Sequence, residues 1–257
     1  MIPLRDENPT RTVPYVVYLI IAVNIIAYLI DISGSMVVPQ GVRINGLFNY
    51  TMIPAQIVRD DPTIDAKLGP NIDIPHPSPS PVWITVLTSM FLHGGLLHIA
   101  GNMLYLWIFG NNIEDVLGHF KFLLFYLAGG VIAALAHIAS NPMSQIPTVG
   151  ASGAIAAVLG AYLIVYPNSR VITLIVLGFF VTTAAVPAVF ILGYWIFLQV
   201  IQATVFHGGS MSGGGVAYWA HIGGFVAGVI GILLFGGRRL AGDRRNERSF
   251  RNSWYED

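Results

Sequence analysis

The sequence predicts an all-α membrane protein, a polytopic bundle of six transmembrane helices. Of its 257 residues 54% are hydrophobic and only 10% are charged, whereas about 25% of an average soluble domain is charged. The hydrophobic residues also fall into runs close to the ~20 residues that a helix needs to cross a bilayer. We therefore expect one membrane domain over residues 13–236 with a large outer loop at about 31–95, a cytoplasmic N-terminal tail over 1–12 and a basic cytoplasmic tail over 237–257.

Six apolar segments are the predicted spans. They run over about 13–29, 96–109, 120–139, 150–166, 187–205 and 216–235. The first segment is too long for a secretory signal peptide and lacks a small-residue cleavage site, so we expect it to be retained. Residues 81–92 are apolar but are soon followed by Gly94 and Gly95, so we expect them to lie along the membrane interface.

Residues 171–186 leave the number of crossings open, because they are apolar but short for a span. They could be a re-entrant or interfacial connection, or a seventh span. The arginine-rich C-terminus is expected in the cytoplasm. With six spans, Ser152, His98 and His221 all lie toward the outer ends of their helices, whereas a seventh span would separate Ser152 from His221. We therefore choose six.

Ser152 is the strongest candidate for chemistry. It lies in Gly150-Ala151-Ser152-Gly153, at the head of an otherwise apolar predicted helix. A serine hydroxyl attacks a substrate only if a base accepts its proton. His221 is the candidate base, because ionisable groups in membrane segments are costly and are functional candidates by default. Backbone N–H groups at the start of the serine's helix would stabilise an oxyanion.

His98 and Asn102 are further candidates for stabilising negative charge. They are four residues apart and share one helix face, and an imidazole N–H and an amide are suitable donors beside the backbone at Gly150. His93 would not share that face on a continuous helix, but the two glycines that follow it permit another geometry, so it is included as an oxyanion or substrate-binding candidate. Each residue alone could be a helix cap or an interhelical hydrogen-bonding group. Their occurrence together on one side of the membrane favours catalysis.

Small residues at helical spacing predict which spans pack closely. Gly153 and Ala157 in the fourth span, and Ala220, Gly224 and Gly228 in the sixth, are each separated by four residues. This spacing lets helix backbones approach each other in lipid. Contact between these two spans would bring the candidate nucleophile near the candidate base.

These motifs resemble the rhomboid family of intramembrane serine proteases. The matching text is His93-Gly-Gly-Leu-Leu-His98-Ile-Ala-Gly-Asn102, Gly150-Ala-Ser152-Gly153 and Ala220-His221-Ile-Gly223, within a resemblance over about 83–235. It implies that Ser152 is the nucleophile and His221 the base of a dyad without an acidic third member. His98, Asn102 and the Ser152 N–H would form the oxyanion hole. The implied function is an endopeptidase that cleaves transmembrane segments of single-span membrane proteins.

The sequence also departs from the rhomboid pattern at two positions. An outer-loop Trp-Arg pair of many rhomboids is here Trp83-Ile84, and an aromatic residue found in some members four positions after the serine is here Ala156. Another side chain must then orient His221; the sixth span is one source, and the sequence does not identify the residue. By the same resemblance, Glu114, in the stretch after the second span, has a structural role.

The remaining histidines are not expected to take part in catalysis. We predict that His76 and His119 lie solvated in loops, and that His137 is interfacial or bonded across helices. The glycine-rich stretch over 208–215, just before His221, could be a lid over the site or only a linker.

Several classes of function are excluded or disfavoured. The chain has no cysteine and a formal net charge of zero, so thiolate catalysis is excluded and nothing suggests a nucleic-acid partner. The proposed spans contain no aspartate, and the chain has no His-Glu-x-x-His, which argues against aspartyl and metal-dependent intramembrane proteases. We expect no cofactor and no metal. The alternative is a non-proteolytic rhomboid-like protein that binds membrane helices, although such relatives usually lack the serine or the histidine that this chain keeps.

Overall fold

A computed structural model describes residues 2–38, 43–69, 72–205 and 216–237. The helices are α1 (Tyr15–Ser33), α2 (Pro54–Arg59), α3 (Ile84–Thr88), α4 (Leu96–Tyr105), α5 (Asn111–Leu117), α6 (His119–Ser140), α7 (Ser152–Val165), α8 (Ala188–Val205) and α9 (Tyr218–Leu234). The strands are β1 (Ile2–Asp6), β2 (Met36–Val37), β3 (Arg43–Ile44), β4 (Ala66–Gly69), β5 (Ile72–Ile74), β6 (Arg170–Leu177) and β7 (Phe180–Pro187). The predicted glycine-rich loop over 208–215 and, apart from Gly237, the predicted basic tail lie outside the described residues.

The helices form the predicted polytopic bundle. By length and composition, α1, α6 and α8 can each cross a membrane. A fourth apolar unit is Leu96–Leu117, in which a π-helical turn joins α4 to α5; it meets the short helical segment Ile84–Phe91 at 90°. That right angle is the geometry expected of an interfacial segment that leads into a span. Two shorter apolar helices, α7 and α9, complete the bundle.

The centre of the bundle is α7, which is buried along nearly its whole length and packs against α9 and α6. The predicted small-residue contact between the fourth and sixth spans is confirmed. A Cβ atom built on Gly224 would lie 2.1 Å from the Gly153 carbonyl oxygen, and one built on Gly228 would lie 1.9 Å from that of Ala157. The two helix backbones are therefore in direct contact, which only glycine permits at these positions.

The segment over 171–186, whose topology the sequence left open, belongs to a β-hairpin. β6 pairs with β7 in antiparallel register from Arg170–Pro187 to Leu177–Phe180. β-Branched residues dominate the strands and favour extended structure, and Gly178 supplies the positive φ of 59° in the turn. Because a hairpin returns to the side from which it started, it makes no crossing, in agreement with six helices. The chain is mostly helical, as predicted, and this hairpin is a local β element beside the helical bundle.

The N-terminal residues are not a free tail, because they pack against the bundle. β1 pairs with β6 to complete a three-stranded sheet. Further along, the Asp115 carboxylate accepts hydrogen bonds from the backbone N–H groups of Arg11 and Thr12 and from the Thr12 hydroxyl. The chain leading into α1 is thus held by the end of α5.

The structure confirms that Glu114 has the structural role that the family resemblance implied. Its fully buried carboxylate accepts hydrogen bonds from the backbone N–H groups of Val16 (2.9 Å) and Val17 (2.8 Å). These groups lie in the first turn of α1, where N–H groups have no intrahelical acceptor and a negative charge is favourable. His119 is exposed, as expected, and its Nδ1 also contacts this carboxylate at 2.5 Å.

Asp6, at the end of β1, is a partly buried carboxyl. Its Oδ2 accepts hydrogen bonds from the Tyr162 hydroxyl (2.7 Å) and the Asn112 side-chain amide (2.8 Å). Burial outweighs these bonds and raises the pKa of Asp6 from 3.8 to about 6. The folded protein therefore binds the Asp6 proton more tightly than the unfolded chain does.

This shift predicts a pH-dependent stability. The contribution of protonated Asp6 is fully present below pH 3.8 and is lost as the pH rises through about 6. We expect the thermal midpoint of the purified protein in detergent to fall across that interval. Asp6→Asn keeps a hydrogen-bond acceptor without the charge, so its midpoint should fall less. If the thermal midpoints of the wild type and Asp6→Asn fell equally with pH, this explanation of the role of Asp6 would be contradicted.

The described part of the outer loop is tied to the bundle. Met52 and Thr148 exchange two backbone hydrogen bonds, of 3.1 and 2.8 Å, which join this loop to the segment before α7. His76 is 1% exposed, with Nε2 lying 2.8 Å from both the Thr51 hydroxyl and the Phe48 carbonyl oxygen. Burial lowers the pKa of His76 below its ordinary value of 6.5. The expectation of a solvated His76 was therefore wrong, because the prolines that marked a loop did not reveal its buried polar network.

Candidate active site

Ser152 is the first residue of α7, and the turn before it explains its position. Gly150 has a φ of +129°, which residues with a side chain rarely adopt, and its N–H donates to the Ser89 carbonyl oxygen at 2.9 Å. This bond fixes the turn against the helical segment that precedes α4. The first N–H groups of α7 have no intrahelical acceptor, so they are available to an oxygen placed beside Ser152.

The predicted nucleophile and base are in contact. The Ser152 hydroxyl oxygen lies 2.8 Å from Nε2 of His221. His221 is on the first turn of α9 and is 8% exposed. Close contact between α7 and α9 at Gly153 and Gly224 brings the two side chains together although they are 69 positions apart in sequence. The pair has the geometry that a hydroxyl needs for transfer of its proton to an imidazole.

The other ring nitrogen of His221 has a partner that the sequence did not reveal. Nδ1 lies 2.7 Å from the side-chain oxygen of Gln199, a residue of α8. The ring of Trp195, one turn earlier on α8, lies 5.6 Å from the imidazole. The fifth span, and not the sixth span considered above, therefore supplies the groups that orient His221. Two amide side chains, Gln199 and Gln202, within a mostly apolar span were the overlooked signal.

His98 and Gly150 lie together beside Ser152. A Cβ atom on Gly150 would lie 2.9 Å from Nε2 of His98 and 3.5 Å from the Ser152 hydroxyl oxygen. Gly150 therefore leaves open the space between the imidazole and the hydroxyl. Asn102, one turn after His98 on α4, is 8% exposed, and its side-chain nitrogen has no hydrogen-bond partner.

His93 lies behind His98. Its ring is 1% exposed and stands edge-on to the His98 ring, with centroids 5.1 Å apart. Neither of its ring nitrogens has a hydrogen-bond partner. His93 packs against His98. Among the described residues, His93 has no recorded contact with Ser152 or His221, so any effect of His93 on these two residues would act through His98.

A small cavity of about 30 Å³ opens beside Ser152, between the segment before α7 and the helices α6 and α9. Its walls are mostly apolar, with Met90, Ala133 and Ala220 among them. Thr148 and His137 add polar groups, and their side chains lie 3.2 Å apart. His137 therefore bonds to the α6–α7 connection, in agreement with the expectation of a bonded rather than a catalytic histidine.

Fold and site together define a multi-pass membrane protein that holds a serine–histidine pair where two apolar helices cross. The chain belongs to the rhomboid family, since the sequence profile of the Rhomboid domain matches residues 80–238. This span contains the three motifs that carried the resemblance.

Individual relatives match shorter stretches. Rhomboid protease GluP of Bacillus subtilis is 41% identical over 96 residues, which are 37% of this chain and 18% of that protein. Presenilin-associated rhomboid-like protein, mitochondrial, of Homo sapiens is 38% identical over 101 residues, 38% of this chain and 26% of that protein. Rhomboid protein 1, mitochondrial, of Saccharomyces cerevisiae is 27% identical over 151 residues, 57% of this chain and 40% of that protein. The matches thus span less than half the length of each of these relatives.

Proposed function

We propose that the protein is an intramembrane serine endopeptidase, which cleaves transmembrane segments of single-span membrane proteins. The observation that supports this most is the 2.8 Å contact between the Ser152 hydroxyl and Nε2 of His221 at a junction of two apolar helices. The names of relatives such as Rhomboid protease GluP agree with it. With this function we propose the domain assignment given above, in which residues 13–236 form one membrane domain.

The proposed reaction is acyl transfer in two steps. His221 Nε2 accepts the Ser152 proton as the oxygen attacks a peptide carbonyl carbon, and then returns that proton to the leaving amine. A water molecule, deprotonated by the same nitrogen, hydrolyses the acyl-enzyme and restores the serine. The carbonyl oxygen becomes negative in each tetrahedral intermediate. The Ser152 N–H, His98 and Asn102 would stabilise it.

Helix length supports an active site below the membrane surface. With 14 residues, α7 spans about 21 Å at 1.5 Å per residue, less than the ~30 Å of the hydrocarbon core. If α7 ends at one face, Ser152 at its other end lies several ångströms beneath the opposite face. We propose that this opposite face is the outer side and that both termini are cytoplasmic, because the arginines follow the last span.

The direct test is cleavage of a single-span substrate by the purified protein in liposomes, with the products identified by mass spectrometry. We expect one cut within or at the outer edge of the apolar segment. Binding of the substrate helix without any cut would replace this proposal by the alternative, a non-proteolytic protein that binds membrane helices.

Asn102→Ala should weaken turnover without abolishing it. Its unpartnered amide nitrogen would donate to the oxyanion, and removing one such donor typically costs about 10²–10³ in kcat. KM should change little, because the bond strengthens only in the transition state. Measurement of kcat and KM separately checks this, and a defect confined to KM would instead make Asn102 a substrate-binding group.

A further inference from the structure

The proposed reaction places a demand on the proton of His221. A neutral imidazole carries one N–H, on either Nδ1 or Nε2. For Nε2 to accept the Ser152 proton, the imidazole proton must be on Nδ1. Nδ1 therefore needs a hydrogen-bond acceptor, which selects this tautomer and fixes the plane of the ring.

Gln199 offers that acceptor in a defined orientation. Its side-chain oxygen lies 2.7 Å from Nδ1 of His221, while its side-chain nitrogen donates to the Trp195 carbonyl oxygen at 3.5 Å. The second contact faces the –NH₂ group away from the histidine, so the carbonyl end of the amide meets Nδ1. Both side chains are buried, Gln199 at 9% and His221 at 8% exposure.

A neutral amide suits this location better than a carboxylate. The α8 helix has no ionisable acidic or basic residue from Ala188 to Val205 apart from Tyr194. An ionised acid here would have the imidazole N–H as a partner but would still place a charge in an apolar surrounding, which costs stability. An amide oxygen accepts the same N–H without that charge.

We propose that Gln199 is a positioning residue of the active site, which holds His221 in the tautomer with the proton on Nδ1. The inference rests on the proposed function, in which Nε2 acts as the base. It extends the expected serine–histidine dyad to an arrangement of Ser152, His221 and Gln199 on three different helices. Correct orientation of the base then depends on the position of α8, which carries neither reacting residue.

The test compares three variants in liposomes. Gln199→Met keeps the length of the side chain but removes the acceptor, Gln199→Glu keeps an acceptor oxygen, and Gln202→Met is the matched control on the same helix. We expect Gln199→Met to lower kcat roughly 10- to 100-fold with an unchanged KM, as for loss of a buried hydrogen bond. Gln199→Glu should recover most of that loss, and Gln202→Met should behave as the wild type. A Gln199→Met variant with wild-type kcat, or a defect that Gln199→Glu does not reduce, would overturn the proposal.

A spectroscopic measurement keeps this proposal separate from the proposed function. In the Ser152→Ala background, ¹⁵N NMR of labelled histidine reports the tautomer of His221 without any turnover, with assignment by comparison with Ser152→Ala/His221→Ala. We expect the proton on Nδ1 with Gln199 and a mixture of tautomers with Gln199→Met. If the wild-type protein cleaves no substrate and the tautomer still depends on Gln199, only the proposed function is refuted and the positioning role stands. An Nε2–H tautomer in the presence of Gln199 would refute the positioning role.

Discussion

Ser152→Ala and His221→Ala should each abolish cleavage of a transmembrane substrate. Loss of either partner is expected to lower kcat on the order of 10⁴- to 10⁶-fold, because the hydroxyl cannot attack unless the imidazole accepts its proton. The double variant should be no slower than the slower single variant, since the two residues act as a unit. The measurement is single-turnover cleavage in liposomes.

Both variants should still fold, which separates a chemical defect from a structural one. The hydroxyl and the imidazole lie at the edge of the contact between α7 and α9, whereas the contact itself is made by backbone at glycines. Ser140→Ala is a matched control, because Ser140 lies at the end of α6 and its hydroxyl bonds only the His137 carbonyl oxygen among the described contacts. Appreciable turnover by folded Ser152→Ala or His221→Ala would disprove the pair as nucleophile and base.

Gly228→Ala should be the most destabilising of the single substitutions considered. The added Cβ would lie 1.9 Å from the Ala157 carbonyl oxygen and 2.5 Å from its carbon, so α9 must move away from α7. Overpacking against side chains costs about 1–3 kcal/mol, and a collision with backbone should reach or exceed the upper end of that range. Separation of the two helices would also part Ser152 from His221, so activity should fall with stability.

Two other glycines provide matched controls for the same substitution. Gly101 on α4 and Gly193 on α8 have open space where a Cβ would be added. Alanine is the better helix former by about 1 kcal/mol, so Gly101→Ala and Gly193→Ala should leave thermal stability unchanged or slightly raised. The check is the thermal midpoint of each variant in the same detergent. A Gly228→Ala variant as stable as these two would show that α7 and α9 do not pack as described.

The sequence predicted the helical parts of the fold because hydrophobic length and small-residue spacing act locally. Gly153, Gly224 and Gly228 marked the contact that joins α7 to α9, and the structure has that contact. The hairpin formed by β6 and β7 was not recognised, because its residues are as apolar as those of a span. Its β-branched composition around Gly178 was the signal for strands.

The structure brings together the residues that lie in recognisable motifs, whereas the role of isolated polar residues was missed. Ser152, His98 and His221 stood out because each lies in a recognisable pattern. Gln199 was missed, since its role depends on which face of α8 meets α9, and that is decided by tertiary packing. His76 was placed in solvent for the same reason: its partners come from distant turns of the outer loop.

Labelling with a fluorophosphonate probe shows whether Ser152 is an activated nucleophile, because the probe reacts only with a serine whose hydroxyl is activated. The purified protein is treated in detergent, digested and analysed by mass spectrometry. We expect a single adduct on Ser152, which is lost in Ser152→Ala and strongly reduced in His221→Ala. No adduct on the folded wild-type protein, or an adduct on another serine that persists in Ser152→Ala, would contradict the assignment of Ser152 as the activated nucleophile.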